Sequence, residues 1–357
     1  LLYLNKSFGV SLLIGGKGFP LTNLTFNTIS IYENTSNSLP TVEIVLRDVN
    51  QSLYDAFELG DGTSIELVIE NNGIRDGMRF DLTGYRGDPS NKEVLLCGIL
   101  SYPKFLQVST LSFKGTASDA LHAIGADCGI QRFKITPTMD SQVWLPSLST
   151  GIARCADITA ASYKNGSFFR FAITALGELI LVDVNSQITN KALQLTVDNS
   201  TTGAYLVTSW NPESMNGVLN NWKGYGFKVT TVGLDKTPKV ISTTSVRKMS
   251  SFLNLSKTFG QAGYSTMDNG NTHINYETAL QSNKRNLALY NVNSHVLLRD
   301  CIPDVGLLAP VDLFCGTRHS GRYLITARTR VISGSSYYEK LELCTNGYAT
   351  DKNRRLI

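Results

Sequence analysis

Leu59-Gly60-Asp61-Gly62-Thr63-Ser64-Ile65-Glu66-Leu67 and, far downstream, Val305-Gly306-Leu307-Leu308-Ala309-Pro310-Val311-Asp312-Leu313 share one pattern. In each, an apolar residue and a glycine lead, at the same offsets, into an aliphatic, acidic, aliphatic triplet. That alternation is the period-two signature of a half-buried strand, and the upstream glycine suits the turn that feeds it. Its recurrence predicts a duplicated β module, against the competing explanation of a chance likeness between two strands entered from glycine turns. The copies are expected to end alike, in the apolar strands Cys97–Tyr102 and Tyr323–Ala327, each arriving after a hairpin.

Around the first copy, apolar runs at Thr41–Arg47, Ser64–Glu70, Met78–Tyr85 and Glu93–Leu100 read as strands. Asn72-Gly73, Asp76-Gly77 and Gly87-Asp88-Pro89 supply the backbone angles that sharp reversals need. An antiparallel barrel or tight sandwich follows. The start, Leu1–Ile14, is apolar but broken by Asn5, Lys6, Ser7 and Gly9, so it reads as a first strand and fits neither a signal peptide nor a membrane span.

The period then changes. Ser118 can cap a helix whose apolar positions Leu121, Ile124 and Cys128 recur at three and four, with Gly129 closing it. A second helix is expected over Gly151–Tyr163, then a hairpin of Phe168–Thr174 and Glu178–Val184 around Leu176-Gly177. Strand character returns at Ala204–Trp210 and from Trp222 to Gly233. An insertion rich in Ser, Thr, Asn and Gly follows from Lys236 to Asn271, and Tyr276–Tyr290 has helical spacing. Strands resume at Ser294–Arg299, Pro310–Cys315, Tyr323–Ile332 and Tyr337–Cys344, before a charged tail.

A chain of 357 residues has room for two or three domains with cores of their own. Only 17% of it is charged, below the roughly 25% of ordinary soluble domains. Uncharged Asn, Ser and Thr carry the polar surface, which suits strands and tight subunit contacts. The net charge of +4 is dispersed apart from Arg318–Arg322 and Lys352–Arg355, too sparse for a specific duplex-binding face. The six cysteines form no CxxC pair, and their apolar surroundings predict buried free thiols and no zinc site.

No catalytic, cofactor-binding or metal-ligating residue is assigned. His122, His273, His295 and His319 stand outside any metal-ligand spacing, and His122 with Asp119 reads as a solvated pair one helical turn apart. Gly15-Gly16-Lys17-Gly18 lacks the spacing and the hydroxyl residue of a phosphate loop and reads as a flexible turn. No GxSxG occurs. Glu178 and Asp183 imitate a glycosidase pair, although residues five apart along a hairpin need not share a cleft. Trp144, Trp210, Trp222, Tyr225 and Phe227 are read as core or interface anchors, with a sugar-stacking platform as the alternative.

Three stretches carry a resemblance: the opening module around Thr41–Asn50 and Gly60–Glu70; Phe113-Lys114-Gly115-Thr116-Ala117-Ser118-Asp119-Ala120-Leu121; and Gly321–Ala327 with Tyr337–Leu343. In these and in the order of its elements the chain resembles the baseplate (tail) hub proteins of contractile-tailed bacteriophages, related to the type VI secretion spike base. The resemblance implies a mainly β fold with α+β insertions, in which two tube-like antiparallel β-barrels flank a middle α+β domain. The first barrel would take residues 1–113, the middle domain 114–200 with 236–283, the second barrel 201–235 with 284–345, and a tail 346–357. It further implies a non-enzymatic homotrimer whose pseudo-sixfold ring joins the hexameric tail tube to the central spike. The lumen would pass DNA, and other baseplate proteins and the tape-measure protein are further partners. Such a protein has no membrane anchor, needs no cofactor, is assembled in the host cytoplasm and resides in the virion. Two rival functions are a tail-associated peptidoglycan hydrolase, resting on Glu178 and Asp183, and a glycan- or receptor-binding module, resting on the aromatics.

Overall fold

The computed structural model describes residues 2–5, 8–22, 25–36, 38–48, 53–71, 74–88, 90, 92–162, 164, 167–197, 204–214, 226–232, 238–241, 264–269, 292–299, 306–317, 319–334 and 336–345. The first module comprises β1 (Leu2–Asn5), β2 (Phe8–Ile14), β3 (Lys17–Phe19), β4 (Phe26–Asn34), β5 (Thr41–Arg47), a one-turn α1 (Leu53–Phe57), β6 (Ser64–Asn71), β7 (Ile74–Asp88) and β8 (Glu93–Leu100). The middle unit follows with β9 (Phe113–Gly115), α2 (Ala117–Asp127), β10 (Arg132–Ile135), β11 (Gln142–Trp144), α3 (Gly151–Ala161), β12 (Phe169–Ile173), β13 (Glu178–Asp183) and a short α4 (Val184–Gln187). Then come β14 (Leu193–Thr196), β15 (Tyr205–Ser214), β16 (Gly226–Val232), β17 (Pro238–Ile241), β18 (Tyr264–Asn269), β19 (Val292–Leu298), β20 (Pro310–Phe314), β21 (Gly321–Ser333) and β22 (Ser336–Thr345).

The strand ladders make the duplication explicit. In the first module the strands run in the order β4-β5-β8-β7-β6; in the second they run β15-β19-β22-β21-β20, with every one of these pairs antiparallel in both. Glu66 lies opposite Arg79 and Ile65 opposite Phe80, while Asp312 lies opposite Arg322 and Val311 opposite Tyr323. Each copy therefore sets an acidic residue against an arginine and an aliphatic against a buried aromatic. This register assigns Tyr323–Ala327 to the counterpart of β7, not of β8; the true equivalent of β8 is β22. The matched endings expected above are thus displaced by one strand.

The copies differ in their closing element. β14 pairs in parallel with both β20 and β15 and completes a closed six-stranded ring, β21-β20-β14-β15-β19-β22. In the first module β2 pairs antiparallel with β6, and among the described residues no ladder joins it back to β4. Instead the free edge of β4 pairs with residues 327–333 of β21, so one sheet runs through both modules.

Several elements correct the expectations. Asp76-Gly77 is no turn: it lies inside β7, opposite Val68 and Ile69. β14, counted above with the middle unit, belongs to the second ring; β16, counted with the second module, pairs with β17 and β18 in a separate sheet. The helical spacing over Tyr276–Tyr290 falls outside the described residues. The cap of α2 is Thr116, which with Asp119 forms a reciprocal capping box, while the buried Ser118 hydroxyl accepts from the Thr138 amide. Gly129 closes this helix at φ +97°, as a residue without Cβ can. Gly15 and Gly16, both at positive φ, form the two-residue turn joining β2 to β3.

The middle unit is wedged against both modules. β13 is paired on both edges, by β10 and β12, and buried on both faces. Leu179 and Leu181 join Leu121, Ile124, Cys155 and Ile158 of the helices in the core shared with the first module, while Ile180 and Val182 enter the core of the closed ring with Ala172. A strand covered on both faces needs a continuous apolar run, and Leu179-Ile180-Leu181-Val182 supplies one. The reversal between β12 and β13 requires Gly177, at φ +70°: a Cβ there would overlap the Tyr102 hydroxyl.

Leu67 and Leu313 occupy equivalent inward positions, and both are fully buried. Leu67→Asp and Leu313→Asp should therefore each cost at least about 4 kcal/mol by placing an unpaired carboxylate in a core. Leu206→Asp, on an exposed position of β15, should leave stability within about 0.5 kcal/mol. Chemical denaturation followed by circular dichroism reads all three, and normal folding of both buried variants would refute the assigned equivalence.

Candidate functional site

β21 and β22 run through both modules, and their inward face changes character along its length. At one end Tyr323, Ile325, Leu341 and Leu343 fill the core of the closed ring. At the other, Ile332 and Tyr337 enter the first module's core. Between them lie Arg328, Arg330 and Glu339, all buried. A bulge between Ile325 and Ala327 makes the switch: one extra residue shifts the alternation, so odd positions point inward before it and Arg328, Arg330 and Ile332 after it.

β4 brings the third charge. Its inward residues Ile29, Ile31 and Glu33 alternate with Ser30 and Tyr32, and its pairing with β21 sets Glu33 opposite Arg328. Arg328 Nη2 donates to Glu339 Oε1 at 2.6 Å, and its Nη1 lies 3.8 Å from Glu33 Oε1. Arg330 lies 3.9 Å from Glu33 and, through its other nitrogen, 3.9 Å from Asp76 of β7. The Tyr337 hydroxyl also donates to Glu339 Oε1. Burial alone would lower the pKa of the Arg328 guanidinium; Glu339, Tyr337 and Glu33 outweigh it, and the net shift is upward. The Arg328 guanidinium therefore stays charged.

The middle unit is tied into the same layer. Glu33 Oε2 accepts the amide of Ala175 at 2.7 Å, and Arg170 reaches Thr35 Oγ1 at 2.6 Å and Cys344 Sγ at 3.7 Å. One carboxylate, Glu33, thus contacts all three parts of the molecule. A separate clamp acts at the repeated hairpin of the ring: Arg322 makes a bidentate pair with Asp312 at 2.7 and 2.8 Å and donates to the Ile188 carbonyl at 2.7 Å beyond α4. Hydrogen bonding to Asp312 raises its pKa above the usual arginine value.

The residues singled out from the sequence do not converge. Glu178 and Asp183 stand at opposite ends of β13, about 16 Å apart along an extended strand, against the roughly 5–9.5 Å a glycosidase pair requires. Asp183 is engaged locally: it accepts from Ser167 Oγ and from the Phe168 and Asn185 amides, capping α4. Asp119 is occupied by Thr116, and the exposed His122 stacks on Phe133 at 4.1 Å between ring centroids. Lys17 pairs with Glu58 at 3.3 Å beside its turn. Trp144, in β11, donates to the Gly115 carbonyl, while Trp210, in β15, packs edge-on to His319; the two stand on different units. Trp222, Tyr225 and His273 fall outside the described residues. No group of three or more potential metal ligands occurs among the described residues, and no helix there is long and apolar enough to cross a membrane.

Glu33, Arg328, Arg330 and Glu339 escaped the sequence reading. The available signal was charge at an inward phase: Glu33 continues the Ile29, Ile31 alternation, and Glu339 stands among alternating Tyr337, Leu341 and Leu343.

No family model and no curated protein sequence matches the chain. Solved structures do. The tail protein from Neisseria meningitidis superposes at a TM-score of 0.63 with 14% identity, covering 96% of this chain and 98% of its own. The 43 kDa tail protein of prophage MuSo2 from Shewanella oneidensis gives 0.63 with 12% identity over 94% and 98%. The chain has the fold of phage tail proteins. That tail-protein fold extends to the E. coli c3393 protein, a type VI secretion component described as structurally similar to the T4 tail proteins gp27 and gp5, with a TM-score of 0.51, 10% identity and 93% and 76% coverage.

Within the tail-protein fold the charge layer should behave as a unit. Glu339→Gln, which strips Arg328 of its nearest carboxylate, should cost about 3–5 kcal/mol, whereas Arg328→Met with Glu339→Leu together should cost less than Glu339→Gln alone. Urea titration distinguishes the two. Burial also raises the thiol pKa of Cys128, to about 11, and those of Cys155 and Cys344. Their contribution to stability is complete below the ordinary thiol range and is lost as pH rises through the folded values, so the melting temperature should fall between about pH 9 and 11. A melting temperature flat across that window would contradict the burial of these thiols.

Proposed function

We propose that the chain is a structural subunit of the baseplate hub of a contractile phage tail. The observation that carries this reading is the repeated strand order, β4-β5-β8-β7-β6 and β15-β19-β22-β21-β20, joined side by side through β4 and β21. A chain with two look-alike modules gives a three-membered ring six similar units, which lets a threefold object seat a sixfold one. On this reading the protein is a homotrimer. Its pseudo-sixfold ring meets the hexameric tail tube on one side and the central spike on the other, with a lumen through which DNA passes.

The first module, the middle α+β unit and the closed ring are the working parts of that hub, and the role is non-enzymatic. Tail tube, spike, other baseplate proteins and the tape-measure protein are its partners, and the virion, assembled in the host cytoplasm, is its location. The exposed sheet face over the seam suits a passage: Thr28, Ser30, Tyr32, Thr41, Glu43, Thr329, Val331 and Lys340 line a groove of about 490 Å³. Hydroxyl groups with one acid and one base give DNA little to hold.

The purified protein should have a native mass three times 39.1 kDa and appear in electron micrographs as a threefold ring with six similar lobes. A stable monomer at micromolar concentration, by sedimentation or native mass spectrometry, would defeat the proposal.

A further inference from the structure

Arg330 of β21 and Glu339 of β22 stand directly opposite each other on their ladder, and both are buried, at 3% and 0% exposed. Residues so placed hold their Cβ atoms about 4.5–5.5 Å apart, close enough for an arginine and a glutamate to pair. These two do not: the ion pairs each makes are with other residues. Glu339 commits Oε1 to two donors, Arg328 Nη2 and the Tyr337 hydroxyl, while its Oε2 is buried with no hydrogen-bond partner among the described residues. Arg330 is drawn the other way. One of its terminal nitrogens lies 3.9 Å from Glu33 Oε1 and the other 3.9 Å from Asp76 Oδ2. Neither distance is a hydrogen bond, and its Nε–H is likewise buried and unmet among the described residues.

Native interiors leave few buried donors and acceptors without a partner of some kind, and fewer still when the groups are charged. Whatever meets these two atoms has to serve both. It must accept from Arg330 Nε–H and donate to Glu339 Oε2, inside a layer that also holds Arg328 and Glu33. A small anion would accept from the arginine but face the carboxylates of Glu339 and Glu33, and a metal ion would suit the carboxylates but face two guanidinium groups. Water alone of the three fits both sides. It donates and accepts, carries no charge, and is the ordinary occupant of buried polar gaps, where it makes about three hydrogen bonds. The spacing leaves room for the third: a water about 2.8 Å from Glu33 Oε1 and from the nearby Arg330 nitrogen sits off the line between them, at the apex of a triangle.

We propose that the seam between the two modules contains a water-binding site between Arg330 and Glu339, in which one ordered water accepts from Arg330 Nε–H, donates to Glu339 Oε2 and reaches Glu33 Oε1. The layer then has two halves of different character. Arg328 bonds Glu339 directly at 2.6 Å, whereas Arg330 is held through solvent, at the point where the Asp76 side chain, 37% exposed, leads from the layer to the surface. A bridging water is nearly as favourable as a direct hydrogen bond, so the seam is completed by solvent without being weakened. The site is built from one chain and stands whatever the assembly of the protein.

The test is a crystal structure of the full chain at a resolution that shows ordered solvent, from crystals soaked in sodium bromide and measured at the bromine absorption edge. A density peak within about 3.2 Å of both Arg330 Nε and Glu339 Oε2, with no anomalous signal, is the expected result. Arg330 and Glu339 in direct contact, with no peak between them, would overturn the proposal. An anomalous peak would assign the site to an anion, and the short contacts of a coordinated metal would assign it to a cation; either overturns the water. A solution measurement gives a second readout. In protein carrying isotope-labelled arginine, the Nε–H resonance of Arg330, identified by its loss in Arg330→Lys, should show a rotating-frame Overhauser cross-peak to water, of sign opposite to chemical exchange. A resonance without that cross-peak would refute the site. Should Arg330→Lys fail to fold, the wild-type crystal decides by itself.

Discussion

The contact between Arg328 and the two carboxylates Glu33 and Glu339 decides how the rest of the molecule fits together. Charges taken out of water are costly unless every one is met by a partner, so such a layer tolerates few alternative registers. β4 must present Glu33 opposite Arg328, and β22 must present Glu339 within reach of the same guanidinium. A slip of one residue along either strand would turn the charge outward and an apolar neighbour inward. The pure aliphatic alternation on both sides of the layer gives no comparable restraint, because one Ile or Leu substitutes for another with little penalty. The charged stretch therefore acts as the index mark for a sheet that is otherwise repetitive.

The layer also separates two cores that share strands. Without it, the apolar inward faces of β21 and β22 would run unbroken from the closed ring into the first module. With it, each module closes its own core, and the two remain distinct units on one backbone. The middle unit exploits this junction: its β12–β13 reversal docks through the Ala175 amide onto Glu33, and β13 then sends alternate side chains into each core. Three parts thus take their relative positions from one buried carboxylate. Asp312 and Arg322 repeat the device on a smaller scale, linking the ring to the chain beyond α4.

Much of this architecture was legible in the residues. The runs Thr41–Arg47 and Glu93–Leu100 coincide with β5 and β8, because an alternating aliphatic run bounded by polar turns admits one assignment. The glycine-led echo located β6 and β20 correctly, since its offsets are set by local geometry. β4 leaves little trace: its Thr, Ser and Asn resemble loop chemistry, and its inward residues Phe26, Ile29, Ile31 and Glu33 are broken in phase by a bulge and end in a charge. Asp76-Gly77 carries the dipeptide of a hairpin turn, yet its ladder partners in β6 hold it extended. The charge layer was invisible for another reason. Its members Glu33 and Glu339 are separated by nearly the whole chain, and pairing at that distance leaves no trace in local periodicity.

The unequal closure of the two modules follows from the same seam. In the second copy β14 enters parallel between β20 and β15 and seals the ring, and the far part of β21, residues 327–333, extends beyond it to pair with β4. In the first copy the position beside β4 is taken by β21, and a ladder already satisfied by the other module has no room for a sealing strand of its own. Duplication and closure are therefore coupled: had both copies closed on themselves, β4 would have no free edge, the modules would be two beads on a string, and Glu33 could not reach Arg328. Leaving one module open is what allows two similar units to share one sheet and one charge layer.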